Sequence, residues 1–334
     1  MRSSFRALGA AAAMVLAITT PVQAALFVFG DSLSDAGNVY DASSKTPGLQ
    51  PDPIVPPYYN GRMSNGRNWA DDVSVALGMG ETTASRLGGN NYAWAGATSG
   101  SGTTQRPSIV RPGQTQPVDN VGKQIQSFTT DHPGGFAASD LVLLWSGAND
   151  ILYYTLGNVA PNSAVQTLLL LTQANLLALE NLGATSIVLP NQINSAKAPI
   201  WNGSYGLPAA AQPYITAVTV AFNSALPALI AGLESTTGFD ADIILVDAYG
   251  AAEAAFANPA AYGLTNVTQP AFPNNVGNAA SYLFWDPIHP TAAGHQLIAG
   301  AALTVIPEPG ILPLFGVALG LFFLSSAVRR RRID

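Results

Sequence analysis

The sequence predicts an α/β domain in which helices cover both faces of a parallel sheet. Three observations predict it. Short apolar runs of strand length recur along the chain, as a strand buried on both faces requires. Segments with helical spacing alternate with them. The length of 334 residues suits one such domain, or at most two small ones, with appendages. Right-handed crossovers then bring every strand's C-terminal end to one edge, where loops can build a site.

Taken in order, residues 25–30 (ALFVFG) form the first strand. Pro-, Gly-, Asn- and Ser-rich loop chemistry follows to about residue 65. Residues 68–77 are a helix with Trp69, Val73 and Leu77 on one face. Residues 121–128 suit another helix, and 140–145 (DLVLLW) a second buried strand. A long apolar helix covers 163–182, and 186–190 (SIVLP) is the third strand. Residues 209–233 are helical in pattern, 242–247 (DIILVD) form the fourth strand, and 251–256 begin a further helix. The last helix runs from 291 to 303, with Thr291 as its N-cap.

Composition narrows the function. Hydrophobic residues make up 48% of the chain and charged residues 10%, so it is not a charge-driven disordered chain. Setting aside Arg2, Arg6, the four arginines at 329–332, Glu308 and Asp334 leaves 8 basic and 18 acidic residues, a body near −10. Such a body has no electrostatic reason to bind nucleic acid or an anionic membrane. The absence of cysteine removes disulfides, Cys-ligated zinc, iron–sulfur clusters and thiol catalysis. Any mechanism that needs a histidine must choose among His132, His289 and His295.

Both ends read as addresses. Residues 1–24 suit a secretory signal: Arg2 and Arg6 precede an apolar stretch at 7–18, and Val22-Gln23-Ala24 offers small residues before a cut. Near the other end, Pro307-Glu308-Pro309 is followed by nineteen uncharged residues, 310–328, and then the four arginines. As a helix this stretch spans about 29 Å, one bilayer core, and the arginines place its end in the cytoplasm. The order resembles the PEP-CTERM sorting signal of Gram-negative bacteria. That resemblance, over 306–334, implies export through the inner membrane and transient anchoring by the 310–328 helix. It further implies processing by an exosortase-type enzyme and residence at the cell surface or in its matrix. Residues 25–305 remain as the working domain.

The chain carries no P-loop, no G-x-G-x-x-G, no H-E-x-x-H and no G-x-S-x-G elbow. What remains are polar groups directly after the buried strands. Ser32, in GDSLSDAGN, ends the first strand in a turn that Gly30 permits. A nucleophilic serine suits that address, with its own N–H aimed at substrate, and so does a helix N-cap serine. In DPIHP, Pro290 biases His289 to an extended backbone, and Asp286 three residues earlier can hold Nδ1–H and leave Nε2 as a base. His295 sits in a helix with no acid near it, and His132 in a polar loop. Both suit structural roles. Gly96 can bring its N–H close to a ligand, and Asn149 can carry an amide donor to the same sheet edge. Taken singly, each is as readily a loop residue.

Together the blocks FVFGDSLSDAGN, NYAWAGAT, GAND and DPIHPTAAGH resemble the GDSL esterase/lipase family of SGNH hydrolases. The stretch from Pro56-Pro57-Tyr58 to Asp71 does so as well. The resemblance runs from about Phe27 to Leu303. It implies a flavodoxin-like, three-layer α/β/α sandwich with a five-stranded parallel sheet, the fifth strand falling between Gly80 and Ala93. It implies Ser32 as nucleophile, His289 as base and Asp286 as orienting acid. The oxyanion hole it implies is Ser32 N–H, Gly96 N–H and the Asn149 amide. No metal or organic cofactor is required. The implied activity is hydrolysis of a carboxylic ester, and the substrate stays open among lipids, small esters and acylated polysaccharide. The same site can serve an acyltransferase, and a catalytically idle matrix protein can keep the fold.

Overall fold

β1 (Leu26–Gly30) is buried along its whole length. Leu26 and Val28 enter one layer of core and Phe27 and Phe29 the other, as a period of two requires. A turn leads to α1 (Asn38–Lys45) and then to α2 (Trp69–Ala76), which starts at a capping box between Asn68 and Asp71. β2 (Thr103–Pro107) and β3 (Thr115–Asp119) form a separate antiparallel hairpin before α3 (Val121–Asp131). β4 (Leu141–Trp145) is followed by α4 (Ala148–Leu156) and α5 (Pro161–Glu180). Then come β5 (Ser186–Pro190), α6 (Gln212–Glu234), β6 (Asp242–Val246) and α7 (Ala248–Ala257). β7 (Asn266–Pro270) and β8 (Tyr282–Phe284) pair with each other, and α8 (Ala292–Val305) begins at the side-chain cap of Thr291. This computed structural model describes residues 24–307 apart from 206, 275 and 276. All but the last residue of the export signal, and all but the first two residues of the sorting signal, lie outside the described residues.

The main sheet is parallel throughout, in the order β1-β4-β5-β6. One face packs on Val121, Ile125 and Phe128 of α3 and on the buried rows of α5 and α6. The other packs on Trp69 and Val73 of α2 and Ile298 and Ala302 of α8. The three expected layers are therefore present. Each fully buried large apolar side chain in them contributes about 1.5–3 kcal/mol. α6 is long and apolar enough by composition to cross a membrane, but its Ile215, Val218, Phe222, Leu226 and Ile230 are buried in this core.

The sheet has four strands, not five. In the expected place, residues 90–94 run beside β1. Val28 N donates to Asn90 O, and Tyr92 N and Trp94 N donate to Val28 O and Gly30 O. With β1 the segment makes only an isolated bridge, Val28↔Asn91, rather than a strand. The next rung is missing because Gly30 N donates to the side chain of Gln124 and not to Tyr92 O, so the ladder stops there. Two helices also lie where the sequence predicts none. α1 is held by Asp35, which accepts from the backbone N–H of Gly37, Asn38 and Val39. α4 follows Gly147, whose φ of 128 suits glycine.

Candidate active site

The strand ends fix the first element. A Cβ on Gly30 (φ 150) would lie 2.2 Å from Trp145 O, so only glycine lets β1 end beside β4 in this way. Gln124 pins the same residue from the side, accepting from Gly30 N at 2.9 Å and donating to Gly30 O at 2.8 Å. Asp31 then closes the turn. Its carbonyl accepts from Ser34 N and Asp35 N, and its Oδ1 from Leu33 N. Ser32 is left half-buried at the rim of a cleft of about 410 Å³. Burial pushes the Asp31 carboxyl up to about 7, against the opposing pull of Leu33 N–H and His289.

His289 and Asp286 meet in the loop before α8. His289 Nδ1 lies 2.7 Å from Asp286 Oδ2, and Asp286 Oδ1 accepts from the N–H groups of Ile288 (2.9 Å) and His289 (2.8 Å). Burial opposes charge on Asp286, yet the His289 ring and these N–H donors outweigh it and hold the carboxyl below its ordinary range. With Nδ1–H donated to Asp286, Nε2 is the free acceptor. His289 lines the same cleft as Ser32, and the two side chains are not hydrogen-bonded; such contacts often tighten only when substrate is bound.

Gly96 and Asn149 line this cleft as well. Gly96 has φ +87, and a Cβ there would lie 2.4 Å from Cδ of Arg106, which packs over it. Neither Ser32 N–H nor Gly96 N–H has an acceptor among the described residues. Asn149 Nδ2 donates to Ala97 O at 2.9 Å, which orients the amide and leaves its second N–H free. Asn149 lies inside the first turn of α4, after the N-cap Gly147, and makes no capping bond. Next to it, burial raises the Asp150 carboxyl to about 6 against the donors of Ser99.

The other two histidines lie apart from the cleft. His295 is fully buried in α8, and burial holds it neutral, with a pKa near 3. His132 stacks on Phe128, ring centroids 4.9 Å apart. Among the described residues, no group of three or more His, Asp and Glu comes together at metal-binding range.

Sequence reading gave no role to Tyr58, Ser64 and Asn65. Tyr58 Oη donates to Asp286 Oδ2 at 2.7 Å, within an aromatic cluster with Phe272 and Trp285. Ser64 Oγ donates to Pro290 O, and Asn65 Oδ1 accepts from Ala292 N. The 58–65 loop therefore clamps the His289 loop from both sides. It is itself anchored by the buried Arg62–Asp71 ion pair.

Residues 26–302 match the family profile described as GDSL-like lipase/acylhydrolase. A phosphatidylcholine-sterol acyltransferase of Aeromonas hydrophila is 34% identical over 134 residues, which are 40% of this chain and 35% of that protein. The chain thus matches about a third of that relative's length. A GDSL esterase/lipase of Arabidopsis thaliana is 27% identical over 328 residues, covering 86% of this chain and 89% of its own. The crystal structure of a member of the lipolytic protein G-D-S-L family from Veillonella parvula covers 84% of this chain and 97% of its own, with a TM-score of 0.42 and 15% identity. That likeness is too low to carry an argument.

Proposed function

The chain belongs to the GDSL-like lipase/acylhydrolase family, a family of carboxylic-ester hydrolases, and from that premise we propose that it works through an acyl-enzyme on Ser32. Ser32 Oγ attacks the ester carbonyl as His289 Nε2 takes its proton. The carbonyl oxygen gains negative charge and accepts from Ser32 N–H, Gly96 N–H and Asn149 Nδ2–H. His289 then gives the proton to the leaving alcohol, whose C–O bond breaks. Water, deprotonated by His289, attacks the acyl-enzyme, and the proton returns to Ser32 as the acid departs. Asp286 holds the ring and offsets its transient charge. The observation that carries this reading is the pair of backbone N–H groups, Ser32 and Gly96, that have no acceptor among the described residues and border the cleft of Ser32 and His289. A fluorophosphonate probe is the test. Mass-spectrometric mapping is expected to find the adduct on Ser32, and an adduct on another residue with Ser32 unmodified rejects the mechanism.

The third donor has its own test. Asn149→Ala is expected to lower kcat about 10²–10³-fold, as loss of one oxyanion donor does. KM should change little, because the bond strengthens only in the transition state. Normal kcat with a lowered melting temperature would remove Asn149 from the machinery.

The likeness to an acyltransferase over 134 residues favours a second reading, in which an acceptor alcohol replaces water at the same acyl-enzyme. Formation of a new ester when acceptor alcohols are added separates the two.

We also propose that the protein is exported and loses its C-terminal tail to an exosortase-type enzyme, as the charge pattern of residues 306–334 supports. Among the described residues, α8 closes the domain at Val305, followed by the buried Ile306. Deleting residues 310–334 is expected to leave an active enzyme. Intact-mass measurement of the native surface protein is expected to lack the four arginines at 329–332, and their presence would contradict processing.

A further inference from the structure

The cleft continues past the donors along one face of α4. Asn149 stands in the first turn of that helix, and Leu152, Tyr153 and Leu156 follow three, four and seven residues later, so all four share a side. All four line the cleft. Leu152 is half-buried, but Leu156 is 50% exposed, a large apolar side chain facing water at the far end of the row. Ile200 and Ile288 line the same cleft. Arg106, the one Lys or Arg at its wall, is already committed to the buried carboxylate of Asp52 at 2.6 Å. The trough therefore offers an incoming group apolar surface and no unpaired cation.

We propose that this trough is the acyl-chain site and that the enzyme's substrates are esters of straight, medium-length fatty acids of about eight carbons rather than acetyl esters. The inference rests on the Ser32 acyl-enzyme reading. The length follows from the helix. Seven residues separate Asn149 from Leu156, and at 1.5 Å per residue the row extends about 10 Å from the oxyanion donors, the length of an extended eight-carbon acyl chain. An acetyl group would leave Leu152, Leu156 and Ile200 in water. Each methylene placed on a fully enclosing apolar wall would improve binding about fourfold, and in this half-open trough two- to threefold is expected. Carbons beyond the Leu156 turn leave the wall and gain nothing.

The test is kcat/KM of the purified protein on p-nitrophenyl acetate, butyrate, hexanoate, octanoate and dodecanoate, below their aggregation limits. A rise of two- to threefold per methylene to about octanoate, then a plateau, is expected. Leu156→Ser, at an exposed position, is expected to cut the octanoate-to-acetate ratio about tenfold. Leu170→Ser, on the exposed side of α5 and away from the cleft, should leave that ratio alone. Acetate as good as octanoate, or an unchanged ratio in Leu156→Ser, overturns the chain site while the hydrolase reading stands. No turnover of any ester, with no fluorophosphonate adduct on Ser32, overturns both.

Discussion

Ser32→Ala is expected to fold as the parent does and to lose about 10⁴-fold or more of its ester turnover. The stability half of this expectation comes from the turn. Asp31 holds it with its carbonyl and carboxylate, and Ser32 Oγ has no hydrogen bond among the described residues. Removing the hydroxyl therefore orphans no buried partner. The activity half comes from chemistry: without Oγ no acyl-enzyme forms, and only rate enhancement from the donors and from binding is left. Turnover assays and thermal melts on the same preparation check both halves. Retained turnover eliminates the mechanism, whereas a collapsed fold would give the hydroxyl the structural role that suits an N-cap serine.

The second large effect is expected at Asp286→Asn, again about 10⁴-fold in kcat. The amide keeps the shape of the carboxylate but can present N–H to His289 Nδ1. That favours the tautomer with its proton on Nε2, which cannot accept from Ser32. Because Asp286 keeps its charge below the ordinary carboxylate range, its own protonation does not set the acid limb of the parent's pH profile. Tyr58→Phe refines the test. Burial and the neighbouring Asp286 push the Tyr58 phenol well up, so it stays a donor at any working pH. Deleting that hydrogen bond to a charged group is expected to lower kcat about tenfold or more. A role limited to packing on Trp285 would leave kcat unchanged. His295→Ala should alter stability but not kcat. If it proves the more damaging change, His289 is not the base.

Much of this arrangement was legible in the sequence, and the gaps have identifiable causes. The four central strands announce themselves because burial on both faces demands continuous apolar runs. Ser32 and His289 stand directly after such a run or before a capped helix, so their placement follows from the connections. Residues 90–94 escape this logic, since the side chain of Gln124, remote in sequence, takes the Gly30 N–H that would extend the ladder. The hairpin turns Arg106 and Gln116 inward beside Val118, so its buried face lacks the apolar alternation that marks a strand. Tyr58 falls within a stretch that resembles the family, but no local spacing reveals a hydrogen bond across 228 residues.

That separation has a consequence in time. The serine lies near the start of the domain, and its base lies near the end. The clamps between them, Tyr58 to Asp286, Ser64 to Pro290 and Asn65 to Ala292, each close a loop of more than two hundred residues. Such contacts form late, because loop entropy must be overcome before they return any energy. A growing chain can lay down β1 and its Ser32 turn long before residue 289 leaves the ribosome. On the Ser32 acyl-enzyme reading, hydrolytic capacity therefore arises only after synthesis of the domain is nearly complete and the last helix has docked.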